Sequence, residues 1–392
     1  MVLTVLTTLS LLIWLYLLFF NGWFWLSDQK LEGVEQDTGA VWPEVVAVIP
    51  ARNEAETIGA VVSSHMATDY SGAFSIIVVD DQSDDGTGDI VRSLAESRMA
   101  GSALRPVVVA EGKPLPEGWS GKLWAVHTGL QAAEETAPDA AYVLLTDADI
   151  VHAPETLRKL VAKAERETRA LVSVMAHLDA RGVCGSLLMP AFIFFFEKLY
   201  PFRSTNDPAS KIAGAAGGCM LVKRDVLAEI GGVEAIRGNL IDDCALALKI
   251  KDPTRAKRSI WLGFDPGVVS LRDNQDLATI WKMVARTAFT QLRFSTLALV
   301  GAVVGMVVTY LVGPLAFLTL PLHGNGLAFT LGTWVWIFMM IAYAPTLFLY
   351  KKALYWALLL PVSACFYMAM TISSALNHWR GAGGAWKGRT YS

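Results

Sequence analysis

The sequence predicts an α/β fold with a mostly parallel sheet, preceded and followed by helices of membrane-spanning length. From about Val45 to Ala288, short β-branched runs alternate with stretches of helical spacing, the pattern of a sheet covered by helices. Both ends of the chain hold long runs without Asp, Glu, Lys or Arg, Met1 to Leu26 and Ser295 to Tyr350. Of the 392 residues 53% are apolar and 18% charged, and the mean hydropathy is +0.41, against about 25% charged in an ordinary soluble domain.

Residues 1–26 are long enough for one spanning helix of about 20 residues, and Trp23 and Trp25 suit an interfacial anchor. A cleaved signal peptide is the rival, but no basic residue precedes the run and no small-x-small site follows it. Residues 45–288 then form the α/β domain. Its strands are expected at "EVVAVIPA", "FSIIVVDD", "LRPVVVA", "YVLLTDAD" and "RALVSVMA", with helices over Glu54 to Met66 and Gly86 to Ser97 between them. Residues 295–376 hold about three apolar segments, broken at His323-Gly-Asn-Gly326, and residues 377–392 form a basic tail. Lys282, Arg286 and Arg293 precede the second apolar zone and so place the α/β domain in the cytoplasm. Lys351 and Lys352 fall on that side too. Arg380, Lys387 and Arg389 fall outside if every segment crosses once, so one late segment is expected to be re-entrant or interfacial.

The net charge of −3 supplies no basic field for nucleic acid. Cys184, Cys219, Cys244 and Cys365 are dispersed with no C-x-x-C pair, which fits neither a zinc site nor a disulfide framework.

Parallel sheets bind ligands beyond the carboxyl ends of their strands, and there the polar residues gather. The first strand ends in "IPARNEAETI", where Pro50 stops the strand and Arg52, Asn53 and Glu54 fill the turn. Glu54 or Glu56 enters the next helix, where negative charge suits the dipole. The second strand ends in "VVDDQSDDGT": Asp80 and Asp81 close it, and Asp84 and Asp85 form a turn. At the end of "YVLLTDAD", Asp147 and Asp149 flank Ala148. In an extended segment residues two apart point the same way, so both carboxylates can face one ion. Oxygen ligands suit Mg2+ or Mn2+, whose coordination substrate phosphates commonly complete. Farther on, Asp242 and Asp243 open an amphipathic helix, as caps or with one of them as a general base. Lys122 is a surface lysine or a cation for the same site. Gln291 and Arg293 are interfacial anchors or donors to phosphate oxygens.

Taken in order, "PARNE", "VDDQSDDGT", "GKLWA", "TDAD", "GGCMLVKRD", "IDD" and "TQLRF", followed by apolar helices, resemble the family 2 inverting glycosyltransferases of GT-A type. The resemblance covers about Val45 to Phe294 and is nearest to the hopene-associated group of bacterial inner-membrane proteins. It implies a GT-A, Rossmann-like catalytic domain, a nucleotide-sugar donor and a lipid acceptor. It implies further that Pro50, Arg52, Glu54 and Asp80 or Asp81 line a nucleoside pocket and that Lys122 contacts the donor. Asp147 and Asp149 match the Asp-x-Asp that holds ribose and divalent metal, and Asp243 matches the catalytic base. One departure stands out. Where membrane members carry Gln-x-x-Arg-Trp, this chain has Thr290, Arg293 and Phe294 in the Gln, Arg and Trp places, which argues against a processive polymerase. A polyprenyl-phosphate sugar transferase would share every motif up to Asp243, and a membrane scaffold with a degenerate transferase fold is the non-enzymatic alternative. The aromatic segment Leu187 to Phe202 is expected either at the bilayer surface, delivering an acceptor, or as a buried core helix.

Overall fold

The computed structural model describes residues 1–33, 41–99, 105–255, 258–381, 385–386 and 389–390; Lys387 of the basic tail lies outside them. The chain forms two compact units that are not contiguous in sequence. One holds Gln29–Leu178, Ser204–Arg272 and Ala385–Ser392; the other holds Met1–Asp28, Asp179–Arg203 and Asp273–Gly384.

The first unit is built on a mixed sheet of β1 (Val45–Ala51), β2 (Phe74–Asp80), β3 (Val107–Glu111), β4 (Tyr142–Thr146), β5 (Ile150–His152), β6 (Arg169–His177), β7 (Cys219–Lys223) and β8 (Ser259–Ser270), in the order β3-β2-β1-β4-β7-β6-β8-β5. β1, β2, β3 and β4 run parallel, as do β6 and β8. β1 and β2 are buried along their whole length, which explains their unbroken β-branched runs. Their side chains alternate between two cores. Val45, Ala47, Ile49, Ile76 and Val78 meet the helices Ile58–Met66 and Thr156–Arg166. Val46, Val48, Ile77 and Val79 meet the helices Gly121–Thr136 and Asp242–Ile250. Full burial of such a side chain contributes about 1.5–3 kcal/mol. Gly129 sets how closely the helix Gly121–Thr136 lies on the sheet, because a Cβ there would stand 2.4 Å from Val48 Cγ1.

β7 runs antiparallel to both neighbours, pairing Cys219 with Thr146. An antiparallel strand brings its beginning, not its end, to the carboxyl edge of β4. Gly217 and Gly218 thereby reach the edge where "TDAD" ends. β8 delivers Ser270 opposite Ile150, so a further strand end arrives at the same edge.

In the second unit, five helices among the described residues are long and apolar enough to cross a membrane: Val2–Phe19, Gly182–Leu199, Thr296–Leu318, Gly326–Leu349 and Leu354–Trp379. The interruption at His323 to Gly326 is a turn with Gly324 at φ 62°. Asn325 caps the next helix by accepting from the Ala328 amide at 3.1 Å. Gly313 and Gly332 let two helices touch, since a Cβ on Gly332 would lie 2.5 Å from the Gly313 carbonyl oxygen; small residues serve such crossings in lipid. Trp14 Nε1 donates to the Thr309 carbonyl at 2.8 Å, where the helix widens to a π turn over Val307–Leu311. The aromatic segment beginning at Leu187 belongs to this helical unit rather than to the α/β unit. Phe194 is fully buried against Phe24 and Tyr343, at ring distances of 5.3 Å in each case. Phe195 stands 5.0 Å from Tyr367. A helix apolar on all sides finds enough apolar surface only among other apolar helices.

Candidate active site

The site assembles at the carboxyl edge of β1, β2 and β4. Pro50 does not stop β1: the strand continues to Ala51, with Pro50 opposite Val79. The following helix starts at Ile58, so Glu54 and Glu56 lie in the turn before it rather than in its first turn. That turn is laced to the one after β2. The Asn53 amide donates to Ser83 Oγ at 3.0 Å, the Glu54 amide to Thr87 Oγ1 at 2.9 Å and the Ala55 amide to Asp85 Oδ2 at 2.9 Å. In return the Asp84 amide donates to Asn53 Oδ1 at 3.0 Å. Arg52 donates to the carbonyls of Asp81 and Gln82 and lies 3.7 Å from the buried Asp81 carboxylate. Asp85 is therefore a clamp: desolvation pushes its carboxyl up, and the hydrogen bonds from Thr87 and Ala55 outweigh that and hold it below the usual range. Asp80 accepts from the Ser83 amide at 3.0 Å. The two loops form one rigid lip.

Asp147 and Asp149 are not in an extended segment. The Ile150 amide donates to the Asp147 carbonyl at 3.2 Å, and the resulting turn sends the two carboxylates to different partners. Asp147 Oδ1 lies 2.8 Å from Lys122 Nζ. Asp149 is buried, and its Oδ2 accepts from Ser270 Oγ at 3.2 Å and lies 3.3 Å from Arg272 Nε. Burial, against the pull of Arg272, raises its pKa.

Lys122 is no surface lysine, its side chain being only 21% exposed. Besides Asp147 it meets Asp242 Oδ2 at 3.3 Å. It occupies the second position of the helix Gly121–Thr136, whose cap is Ser120. A cation at that end opposes the helix dipole, so these carboxylates do what the helix does not. Burial opposes the charge on Lys122, yet Asp147 and Asp242 outweigh it and push its pKa up. Neither Asp242 nor Asp243 is a cap, since Ile241 holds that place. Both stand in the first turn, where the dipole favours negative charge. Asp243 accepts from the Gly217 amide at 2.9 Å through Oδ2 and from its neighbour Cys244 at 2.7 Å through Oδ1. Burial first, and then the Asp242 charge, push its pKa up to about 6.

The edge thus brings Lys122, Asp147, Asp242 and Asp243 together, with Asp149 at the far side of the same turn. Arg293 belongs to the helical unit instead. It is exposed just past the helix Leu277–Gln291, with φ 52°. Phe294 beside it stacks on His378 at 4.3 Å, and Gln291 donates to Tyr200 Oη at 2.7 Å.

Gly217, Ser270 and Arg272 also stand at this site, and no local sequence pattern marks them. Gly217 was legible only as half of a Gly-Gly pair; a Cβ there would come within 3.3 Å of Asp243 Oδ2 and 3.4 Å of Lys122 Nζ. Arg272 follows a strand that Asp265-Pro266-Gly267 disguises as a turn.

Among the described residues no group of three or more His, Cys, Asp or Glu forms a closed metal cage. The donors present, Asp147 and Asp149, are oxygen-only and too few to fill a coordination shell. That set fits Mg2+ or Mn2+ completed by phosphate oxygens and does not fit zinc.

Residues 46–231 match the sequence model of glycosyl transferase family 2. No curated protein matches the chain. Among solved structures, the mannosyltransferase PcManGT from Pyrobaculum calidifontis, in complex with GDP-Man and Mn2+, is similar over 95% of this chain and 99% of its own, at 17% identity and a TM-score of 0.53. Glucosyl-3-phosphoglycerate synthase from Mycobacterium tuberculosis, in complex with Mn2+ and UDP-glucose, is similar over 64% of this chain and 78% of its own, at 20% identity and a TM-score of 0.41. The fold is GT-A-like.

Proposed function

We propose that this chain is a metal-dependent inverting glycosyltransferase that moves a sugar from a nucleotide diphosphate donor to a membrane lipid. The observation that carries this reading is Lys122 held between Asp147 and Asp242, with Asp243 pinned beside them on the Gly217 amide. The family match over residues 46–231 and the similarity to a mannosyltransferase holding GDP-Man and Mn2+ support it.

In this reading the lip formed by Pro50, Arg52, Glu54, Asp80 and Asp81 receives the nucleoside. A diphosphate arriving at the edge competes with Asp147 for Lys122, whose ammonium offsets the charge growing on the leaving group. Asp149 and Asp147 would hold a divalent ion, which would supply Lewis acidity toward the diphosphate when bound. Asp243 takes the proton of an acceptor hydroxyl as that oxygen attacks the anomeric carbon from the face opposite the leaving group. One displacement inverts the configuration. Arg293 is a further phosphate donor in this reading, and hopanoid lipids are the first acceptor class to test.

Calorimetry with UDP or GDP and Mn2+ tests the donor site. Wild type is expected to bind one of them only with metal, and Asp149→Ala to lose that dependence together with at least tenfold in affinity. Binding by neither, or equal binding with and without Mn2+, defeats the reading. Mass spectrometry of lipids from cells lacking the protein tests the acceptor, the expected result being one missing hexose-type increment.

The helices suggest a multi-pass inner-membrane protein with the α/β unit in the cytoplasm. Both ends of Gly182–Leu199 lead into that one compact unit, so this helix begins and ends on one side of the bilayer. The strand Ala385–Trp386 after the last helix also groups with the α/β unit. Three crossings then remain, Val2–Phe19, Thr296–Leu318 and Gly326–Leu349, and Lys282, Arg286, Lys351, Lys352 and Arg380 all face the cytoplasm as the positive-inside rule asks. The hydrogen bond from Asn325 to Thr4, 2.8 Å, fits a shared outer end for these helices. A reporter fused after Gly381 is expected to read cytoplasmic; a periplasmic reading would require Leu354–Trp379 to cross.

A further inference from the structure

Behind the acidic turn lies a buried polar group that the mechanism above does not use. Thr146, the last residue of β4, is buried, and its hydroxyl donates to the Gly218 carbonyl at 2.8 Å. This bond extends the β4–β7 ladder one step past its last pair, Thr146 with Cys219. It holds the Gly218–Cys219 peptide, at the far end of a two-glycine link from the Gly217 amide that holds Asp243, where the glycines provide no side chain to do so. On its other side the same hydroxyl oxygen lies 3.4 Å from His152 Nε2. A hydroxyl has one proton, and Gly218 takes it. For this contact to be a hydrogen bond, His152 Nε2 has to carry the proton and donate. Burial holds this imidazole neutral, with its pKa well below the ordinary value, and the ring of buried His65 stands 4.4 Å from it.

We propose that Thr146 is a positioning residue for the reaction, its hydroxyl aimed at Gly218 by the Nε2–H tautomer of His152 so that the Gly217 amide stays in register with Asp243. The inference rests on the functional reading above. Removing the hydroxyl releases the Gly218 carbonyl, so the two-glycine link can turn and carry the Gly217 amide with it, which misplaces the base without touching the donor. The expected result for Thr146→Val is a kcat about tenfold lower, equivalent to about 1.4 kcal/mol, with donor affinity within twofold of wild type. Thr146→Ser keeps the hydroxyl and restores kcat to within about threefold.

The second measurement is the tautomer. In the folded wild-type protein in detergent, labelled at its six histidines, nitrogen NMR is expected to show His152 protonated at Nε2, the signal being assigned by its loss in His152→Phe. Protonation at Nδ1 overturns the inference, as does a Thr146→Val enzyme with wild-type kcat or one that loses donor affinity and kcat together. If Thr146→Val does not fold, the tautomer decides. Wild-type protein that transfers sugar to no lipid defeats the functional reading instead, and the tautomer still decides the hydrogen-bond assignment.

Discussion

Asp243→Asn is expected to lower sugar transfer by roughly 10²- to 10⁴-fold, the usual contribution of a general base, while nucleotide binding stays near wild type. The amide keeps the size of the carboxylate but has a single acceptor oxygen, so it keeps only one of the bonds from the Gly217 and Cys244 amides; unchanged nucleotide binding is what separates lost proton transfer from lost packing. The pH profile supplies an independent check. Asp243 is raised to about 6 by burial and by Asp242, against the opposing pull of Lys122. A base works only when deprotonated, so kcat/KM is expected to be flat at neutral pH and to fall about tenfold per unit below pH 6. Assays of labelled nucleotide sugar with lipid extraction between pH 4.5 and 8 would show this. An acid limb that survives in Asp243→Asn would assign the base elsewhere.

Lys122→Met is expected to damage stability and donor binding together. The substitution leaves Asp147 and Asp242, which lie 2.8 and 3.3 Å from the ammonium in wild type, facing each other and Asp243 without a cation. Stranding part-buried carboxylates costs about 1–3 kcal/mol after allowance for their exposure. The deficit should shrink as the pH falls, because protonation removes the repulsion the lysine had balanced. Denaturant midpoints at pH 7.5 and 5 measure that trend, and calorimetry with nucleotide and Mn2+ measures the binding loss. A variant equally stable at both pH values, with unchanged affinity, would make Lys122 a bystander.

Much of this site was legible in the chain. Continuous β-branched runs ending in acids announced the strands and their chemically loaded edge, because burial on both faces leaves no polar residue until a strand emerges. Other features misled for identifiable reasons. Asp147 and Asp149 read as a parallel pair only if the segment stays extended, and the hydrogen bond between Ile150 and Asp147 turns it. Asp84 and Asp85 read as a turn, without a sign of what the turn binds. The Asp85 carboxylate accepts from the Ala55 amide and the Asp84 amide donates to Asn53 Oδ1, links across 30 and 31 residues that no local pattern records. The helix Gly182–Leu199 interrupts the α/β domain in sequence, yet it packs in the helical unit.

The sequence by itself determined what depends on local spacing and composition: an α/β unit, acids at the strand ends, apolar helices at both termini and the residue types for phosphate and proton chemistry. Only the tertiary structure decided which of those residues meet. An antiparallel β7 brings Gly217 to Asp243, β8 brings Arg272 to Asp149, and the helix Gly121–Thr136 drops Lys122 between Asp147 and Asp242. The physical reason is that strand direction and the depth of a helix on a sheet are set by contacts between residues far apart in the chain. Those contacts leave no periodic trace in the sequence.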